Sequence, residues 1–281
     1  MTTEKYAAER ESAREPQPRQ LIVTIFALYA RGEHNWLSVA SVVQLMADLG
    51  VESPAVRSSI SRLKRKGTLV ADRRAGTAGY SLSESTLEML AEGDVRIFDR
   101  RRADIDDGWL LVVFSIPESE RDKRHALRTT LTRLGFGTAA PGVWVAPGNL
   151  AREARETLTR RGMTGYVDMF HAEHLAFGDL RSKVRSWWDL DELTELYSDF
   201  LHRYRPVLEH AASSTLTPRE AFNEYVPMLT EWRRLPYLDP GLPLQLLPPG
   251  WNGVTAGELF DQLNTALSGP AREHARAIIH P

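Results

Sequence analysis

The segment SPAVRSSISRLKRKG, from Ser53 to Gly67, combines a regular apolar spacing with five basic residues. Val56, Ile60 and Leu63 follow one another at intervals of four and three residues, which places them on one face of an α-helix. The opposite face is then made of basic and small residues, namely Arg57, Ser58, Ser61, Arg62 and Arg65. Such a helix must bury its first face, and its second face either stays solvated or meets a negative partner.

Two apolar helices are predicted before this basic segment. The first comes from PRQLIVTIFALYARG, between Pro18 and Gly32, where apolar residues cover a wide face. The second comes from LSVASVVQLMADLG, with Ser38 as its N-cap and Gly50 as a residue that ends a helix at positive φ. We expect Ser53 to cap the third, basic helix.

A β-hairpin is predicted after the basic helix. The segment TLVADRRAGTAGYSLS alternates in character, and its glycines predict a turn between Ala75 and Gly79. The stretch Arg57–Arg74 holds seven basic residues and one acid, Asp72, although the whole chain has a formal net charge of only −2. Two helices, a basic helix and a hairpin predict a winged helix-turn-helix domain over residues 19–104.

Residues 105–177 predict a second domain. The apolar run WLLVVFSIP is typical of a central strand, and a helix, a Pro-Gly hairpin, a second helix and another strand follow it. This βαββαβ order is typical of a ferredoxin-like domain. Residues 178–281 have helical patterns and predict a helical C-terminal domain for effector binding or dimerisation. The predicted fold class is therefore α+β, with three parts after a disordered tail at residues 1–18.

Composition limits the compartment and the partners. The 281 residues include no cysteine, which excludes disulfides and thiolate metal sites and fits a reducing cytoplasm. The most apolar run, Leu21–Ala30, is about half as long as the roughly 20 residues that a membrane-spanning helix needs. We therefore expect a cytoplasmic protein without a membrane partner.

The basic helix and the hairpin supply the candidate DNA contacts. In a helix-turn-helix the second helix enters the major groove, where arginine donates to guanine and small side chains allow close approach. Early residues of that helix are expected to read bases, and later ones to contact phosphate. The base-reading candidates are Arg57, Ser58, Ser61 and Arg62, and the backbone candidates are Lys64, Arg65 and Lys66. Arg73 and Arg74 on the hairpin are candidates for contacts with the backbone or the minor groove. The alternative is an ordinary solvated helix face.

Aromatic and cationic residues in the second half of the chain are candidates for an effector pocket. They are His171, His174, Trp187, Trp188, Trp232, Arg233 and Arg234. This mixture suits an acyl-coenzyme A ester, but tryptophans are also ordinary core residues of helical domains. The two histidines lack the third ligand that a catalytic zinc site usually has, so we predict neither a metal site nor a cofactor.

No catalytic motif is recognisable in the sequence. It has no G-x-S-x-G nucleophile motif and no Walker lysine, and GFG at residues 135–137 is not a dinucleotide fingerprint. We therefore predict that the protein is not an enzyme. Two alternatives stay open: a nucleic-acid-processing enzyme that uses the ferredoxin-like domain, and an interaction module that does not bind DNA.

Several blocks of the sequence resemble the PaaX family, the repressors of phenylacetate catabolism. They are PRQLIVTIFALYARG, WLSVASVVQLMADLGVESPAVRSSISRLKRKG, WWDLDELTELYSDFLHRYRP, LPYLDPGLPLQLLPPGW and, most specific of all, LGFGTAAPGVWVAP. The resemblance extends over about residues 18–275. The middle domain also resembles the small ferredoxin-like CRISPR-associated nucleases, but Ser115 stands where those enzymes have an aspartate.

The PaaX resemblance implies a homodimeric repressor whose recognition helix corresponds to Ser53–Lys66. It implies that the protein binds double-stranded operator DNA and controls a catabolic operon of the phenylacetate type. It also implies release from DNA by an aromatic acyl-coenzyme A, such as phenylacetyl-coenzyme A.

Overall fold

The computed structural model describes residues 16–99, 101–175, 177–214 and 216–281. Most of the expected N-terminal tail, residues 1–18, lies outside the described residues. The fold is mixed α+β, with helices and two antiparallel sheets. No helix in the described part of the chain is long and apolar enough to cross a membrane.

The described residues form two compact units. The first unit contains the described residues up to Asp94, together with His202–Trp232 and Gly257–Pro281. The second contains Val95–Leu201 and Arg233–Ala256. The helical C-terminal segment thus contributes to both units.

The elements are numbered in chain order. The helices are α1 (Pro18–Ile25), α2 (Val39–Asp48), α3 (Ser53–Arg65), α4 (Glu84–Phe98), α5 (Arg121–Arg133), α6 (Ala151–Arg160), α7 (Leu180–Trp187), α8 (Leu190–Ser213), α9 (Pro218–Trp232), α10 (Leu235–Leu238) and α11 (Gly253–Ile279). The strands are β1 (Trp36–Ser38), β2 (Leu69–Arg74), β3 (Thr77–Leu82), β4 (Trp109–Phe114), β5 (Gly137–Ala140), β6 (Val143–Pro147) and β7 (Val167–Ala172).

In the first unit, α1 packs against α2, α3 and α9. Its apolar face is completely buried, and a π-helical turn, Phe26–Ala30, extends it toward Gly32. A buried hydrogen bond of 2.8 Å joins the hydroxyls of Thr24 on α1 and Thr230 on α9. The helix α9 therefore completes the hydrophobic core against which the N-terminal helices pack.

The basic helix α3 buries the predicted stripe of Val56, Ile60 and Leu63. The predicted cap of this helix is wrong. The N-cap is Glu52, without a side-chain cap bond, and Ser53 is already the first helical residue. By contrast, the prediction of Ser38 as N-cap of α2 is confirmed, because its hydroxyl accepts from the N–H of Ser41.

The strands β1, β3 and β2 lie in this order in a three-stranded antiparallel sheet. The hairpin turn is shorter than predicted: only Ala75 and Gly76 connect β2 to β3, and both have positive φ, as in a type I′ turn. Gly79 lies inside β3, paired with Asp72. The strand β1 was not predicted, because three residues are too few to give an alternating pattern.

In the second unit, β5, β6, β4 and β7 lie in this order in an antiparallel sheet. Leu110 and Val112 on β4 point to one face and pack with residues of α5 and α6. Trp109 points to the other face, where α7 and a proline-rich passage, residues 235–251, cover part of the sheet. The predicted Pro-Gly turn is present, with Gly142 at φ 81°.

The segment WWDLDELTELYSDFLHRYRP, which begins with Trp187 and Trp188, is not part of one continuous helix. The helix α7 ends at Trp187, and α8 begins at Leu190. The backbone of Trp188 is extended, with φ −131° and ψ 144°. The chain therefore changes direction at the tryptophan pair.

Candidate nucleic-acid interface

The outer face of α3 presents the four base-reading candidates to solvent. Arg57, Ser58, Ser61 and Arg62 are all exposed, and i, i+4 spacing places Ser61 beside Arg57 and Arg62 beside Ser58. None of these four side chains has a hydrogen bond or ion pair with any other described residue. The guanidinium groups are therefore available to an external anion.

Lys64, Arg65 and Lys66 continue this surface beyond the middle of the helix, and all three are exposed. Cations in the last turn also interact favourably with the helix dipole, so these residues stabilise α3 whether or not they bind anything. The ammonium of Lys64 lies 5.9 Å from the centre of the Tyr80 ring on β3. This contact links the helix to the hairpin.

The two hairpin arginines differ in their surroundings. Arg73 is exposed and, within the described part of the chain, has no partner. Arg74 Nε donates to Asp72 Oδ2 over 3.0 Å, and its guanidinium lies 5.6 Å from the centre of the Trp36 ring on β1. The prediction treated these two residues alike, but only Arg73 is free.

The carboxylate of Asp72 is itself held in place. Ser81 Oγ on β3 donates to Asp72 Oδ2 over 3.0 Å, and Trp36 Nε1 donates to the Asp72 carbonyl over 3.5 Å. The hydrogen bonds from Arg74 and then Ser81 lower the pKa of Asp72 below its ordinary value. Asp72 therefore remains ionised at neutral pH, and its contacts weaken only in strong acid.

Sequence reasoning did not identify Trp36, Asp72 and Ser81 as parts of this surface. The only available signal was a single acid within a strongly basic stretch. Trp36 is brought to this surface by its pairing with Ser81, which depends on β1, a strand that the sequence pattern did not predict. The position of Asp72 opposite Gly79 depends on the register of the hairpin.

The candidate effector residues occupy several different environments. In the second unit, Trp187 and Trp188 pack against Trp109, with ring centres 5.4 Å and 6.3 Å away. Trp188 Nε1 donates to the carbonyl of Gly135 over 3.0 Å. These two tryptophans therefore contribute to the core beneath the sheet.

A pocket of about 210 Å³ lies beside this tryptophan cluster. Its wall is largely apolar, and Glu173 and His174 supply its polar groups. The remaining lining residues are Ile105, Gly108, Trp109, Pro147, Leu180, Pro243 and Leu246. His171 does not line this pocket; its Nε2 lies 3.0 Å from the Asp107 carbonyl.

The last three candidates fall in the two different units. Trp232, in the first unit, stacks on Phe260 with ring centres 4.5 Å apart. Arg233 and Arg234 belong to the second unit; burial lowers the pKa of Arg233, while Arg234 is exposed. Among the described residues, no three histidine, aspartate or glutamate side chains are grouped so that they could hold a metal ion.

Three family models match successive parts of the chain. A PaaX-like protein model matches residues 17–86, the PaaX protein central Cas2-like domain matches residues 102–184, and the PaaX-like protein C-terminal domain matches residues 188–277. A solved structure, the uncharacterized protein Rv0674 from Mycobacterium tuberculosis, has the same fold, with a TM-score of 0.58 and 24% identity. That match covers 90% of this chain and 97% of the other.

The chain is also similar to a named transcriptional repressor. The transcriptional repressor PaaX of Escherichia coli (strain K12) is 30% identical to this chain over 241 residues. The alignment covers 83% of this chain and 74% of the relative. The chain therefore belongs to the PaaX family.

Proposed function

We propose that this protein is a DNA-binding transcriptional regulator and that it acts as a repressor. The observation that carries the proposal is the outer face of α3, where basic and small side chains are exposed without partners among the described residues. Free arginines on a helix that buries its other face have the chemistry that phosphates and guanine edges require. The named relative is a transcriptional repressor, so the chain is assigned to regulators and not to enzymes.

The N-terminal elements then act as a winged helix-turn-helix. In this proposal α2 and α3 are the two helices of the motif, and the hairpin of β2 and β3 is the wing. The observed order of helix, strand, two helices and two strands supports it, as does the packing of α1 on both helices of the motif. Residues of α3 would enter the major groove, and the hairpin would lie along the backbone.

The exposed residues divide into two roles. Arg57 and Arg62, with Ser58 and Ser61 beside them, lie early enough in α3 to reach base edges. The backbone contacts come from Lys64, Arg65, Lys66 and, on the hairpin, Arg73.

The second unit supplies a ferredoxin-like platform rather than a nuclease. Its βαββαβ order and the strand order β5, β6, β4, β7 support this assignment. The position after β4 that bears an aspartate in the similar nucleases is Ser115, whose hydroxyl is a poor substitute for a carboxylate as a ligand of Mg²⁺. Cleavage of labelled DNA or RNA in the presence of divalent metal would favour the enzyme alternative.

The active form is proposed to be a homodimer. In the second unit, Phe170 and Val113 are 52% and 38% exposed and lie on the same face of neighbouring strands. Their adjacency on one face forms a small apolar patch, which a second protein surface could cover. A two-fold axis would then place the two α3 helices on half-sites about 34 Å apart or a multiple of that distance.

The effector is proposed to be an aromatic acyl-coenzyme A such as phenylacetyl-coenzyme A. The pocket beside Trp109 is too small for a whole coenzyme A ester, but its apolar wall suits an aryl group. His174 lines this pocket, while Trp187 and Trp188 support its wall through Trp109. The remaining candidates do not line this pocket; they are His171, Trp232, Arg233 and Arg234. An effector releases the operator only if it binds the DNA-free conformation more tightly.

The DNA-binding proposal is tested by recovering bound fragments from sheared genomic DNA of the source organism. We expect one or a few discrete sites with two-fold symmetry, protected from cleavage over two half-sites. Recovery of fragments without a shared sequence would contradict the proposal of a specific regulator. If a variant with both Arg57→Ala and Arg62→Ala kept the full regulatory function of the wild type, the alternative of an interaction module that does not bind DNA would be favoured.

The effector proposal is tested separately on the recovered site. Phenylacetyl-coenzyme A, other acyl-coenzyme A esters and the free acids are titrated into the complex, with free coenzyme A as the control. We expect release by an aromatic ester and not by coenzyme A. Failure of every ester would remove the effector proposal and leave DNA binding intact.

A further inference from the structure

One acid interrupts the basic surface of the hairpin. Asp72 is the only aspartate or glutamate between Arg57 and Arg74. Its side chain does not stand free: it accepts from Arg74 Nε and from Ser81 Oγ, each over 3.0 Å and each at Oδ2. The acid is thus directed at one particular cation of the surface.

The contact between Asp72 and Arg74 is more than an ordinary exposed ion pair. Exposed pairs alone are weak, because both side chains lose freedom and water screens the charges. Here Ser81 fixes the carboxylate, and the ring of Trp36 on β1 reaches across β3 to support the guanidinium. Both partners are therefore held in one geometry before any ligand arrives.

Trp36 is in turn held against the hairpin by a glycine. A Cβ atom at Gly79 would come within 2.4 Å of the Trp36 ring and of the Leu37 carbonyl. Only glycine allows the indole to lie this close to β3. The packing of β1 against β3 therefore fixes the Trp36 ring over which the Arg74 guanidinium lies.

We propose that Asp72 is a specificity-determining residue, which withholds Arg74 from DNA phosphate and so weakens binding to DNA of arbitrary sequence. An arginine contributes to non-specific binding when it releases a counterion from the DNA. A guanidinium already neutralised by a carboxylate adds little to counterion release unless it gives up that pair, even though some of its N–H donors stay free. The free cations of α3 and Arg73 then dominate binding, and α3 is the element that can read sequence.

This inference rests on the proposed DNA-binding function and deepens it. It also assigns Arg74 a different role from Arg73, although the two are neighbours in the sequence. Under this inference Arg74 belongs to the structure of the wing, and Arg73 belongs to its contact surface.

The test measures binding to a random-sequence duplex by fluorescence anisotropy. The potassium chloride concentration is varied from about 50 to 200 mM, because counterion release changes DNA affinity strongly over this range. The proteins are the wild type, Asp72→Asn, Arg74→Ala and the double variant. We expect Arg74→Ala to keep the wild-type salt slope. Asp72→Asn should steepen the slope by about 0.9, because one more phosphate is contacted; over this fourfold salt range that adds about a 3.5-fold loss of affinity.

The double variant separates release of Arg74 from simple loss of a negative charge. If Asp72 acts through Arg74, the double variant returns to the wild-type slope; if it acts only as a repelling charge, the double variant binds as Asp72→Asn does. Glu52→Gln is the matched control, because it removes an exposed acid next to α3 that has no arginine partner among the described residues. We expect it to leave the slope unchanged.

Three results would overturn the inference: a shallower slope for Arg74→Ala than for the wild type, an unchanged slope for Asp72→Asn, or a double variant that keeps the slope of Asp72→Asn. Thermal melting checks that each variant is folded, and Asp72→Ala repeats the test without the hydrogen-bonding amide. A wild-type protein that binds no DNA at low salt would instead contradict the proposed function. The two failures are therefore distinguishable.

Discussion

At the scale of single residues, the difference that matters is between arginines with partners and arginines without them. Arg57, Arg62 and Arg73 are exposed and unpaired within the described residues. Arg74 is held by Asp72 and Trp36. Counting charges in the sequence treats all four alike, whereas a guanidinium paired with a carboxylate has its charge neutralised and fewer N–H donors left for a phosphate or a base.

The first prediction concerns base readers and phosphate binders. Arg57→Ala or Arg62→Ala should weaken operator binding by about 1 to 3 kcal/mol and relax the preference at the base that the residue reads. Arg65→Ala should weaken binding to all sequences alike and flatten the salt slope by about one. The measurement is binding to the operator and to single-base variants of it at several salt concentrations. Uniform behaviour of all three variants would show that this division of roles is wrong.

At the scale of elements, the wing depends on close packing between β1 and β3. Gly79 is buried in β3, and its missing side chain is the space that Trp36 occupies. The strand β1 contributes only three residues, but they place Trp36 beside Arg74. A change at Gly79 should therefore disturb both the sheet and the arginine.

The second prediction is that Gly79→Ala destabilises the protein by about 1 to 3 kcal/mol, the usual cost of forcing extra volume into a packed site. Urea unfolding followed by tryptophan fluorescence measures it. Gly32→Ala is the matched control, because no atom lies within 4 Å of a Cβ at Gly32 and its φ is not in the left-handed region. Equal stability of the two variants would mean that Trp36 does not need to pack against Gly79.

The features that the sequence predicted correctly depend on residues close together in the chain. The stripe of α3, the cap at Ser38 and the Pro-Gly turn at Gly142 all rest on local chemistry, and all are present. Elements that depend on distant partners were missed. β1 is set by its pairing with β3, and the break after Trp187 is accompanied by packing of Trp188 against Trp109 and its bond to Gly135.

The same limit applies to the candidate site. The exposed residues of α3 follow from helical periodicity, so the sequence alone identified them. The pairing of Asp72 with Arg74 and Ser81 depends on the register of β2 and β3, which two glycines near the turn left ambiguous. The aromatic candidates alone could not predict the pocket beside Trp109, because Pro243 and Leu246 of the proline-rich passage form part of the wall of that pocket.

At the scale of the whole molecule, DNA affinity depends on the number of recognition helices that bind together. A dimer places two α3 helices on one operator, and the second contact gains from the high local concentration set by the first. The exposed sheet face with Phe170 and Val113 is the proposed site of this association.

The third prediction is that Phe170→Glu converts the dimer to a monomer and lowers operator affinity by about 100-fold or more, because the avidity of paired half-sites is lost. Analytical ultracentrifugation measures the first effect and fluorescence anisotropy the second. Leu244→Glu is the matched control, since Leu244 has the same 52% exposure but lies outside the sheet. A Phe170→Glu variant that remains dimeric would contradict this assignment of the interface.

The central claim, that the chain binds DNA through the outer face of α3, is tested most directly by reversing charge on that face. Arg57→Glu with Arg62→Glu is compared with Arg121→Glu with Arg128→Glu, two exposed arginines on α5 that have no partners among the described residues. The net charge changes equally, and fluorescence anisotropy with duplex DNA at low salt is the measurement. We predict that the α3 variant loses binding while the α5 variant binds nearly as the wild type does. Equal loss in both variants, or binding by the α3 variant, would contradict the claim.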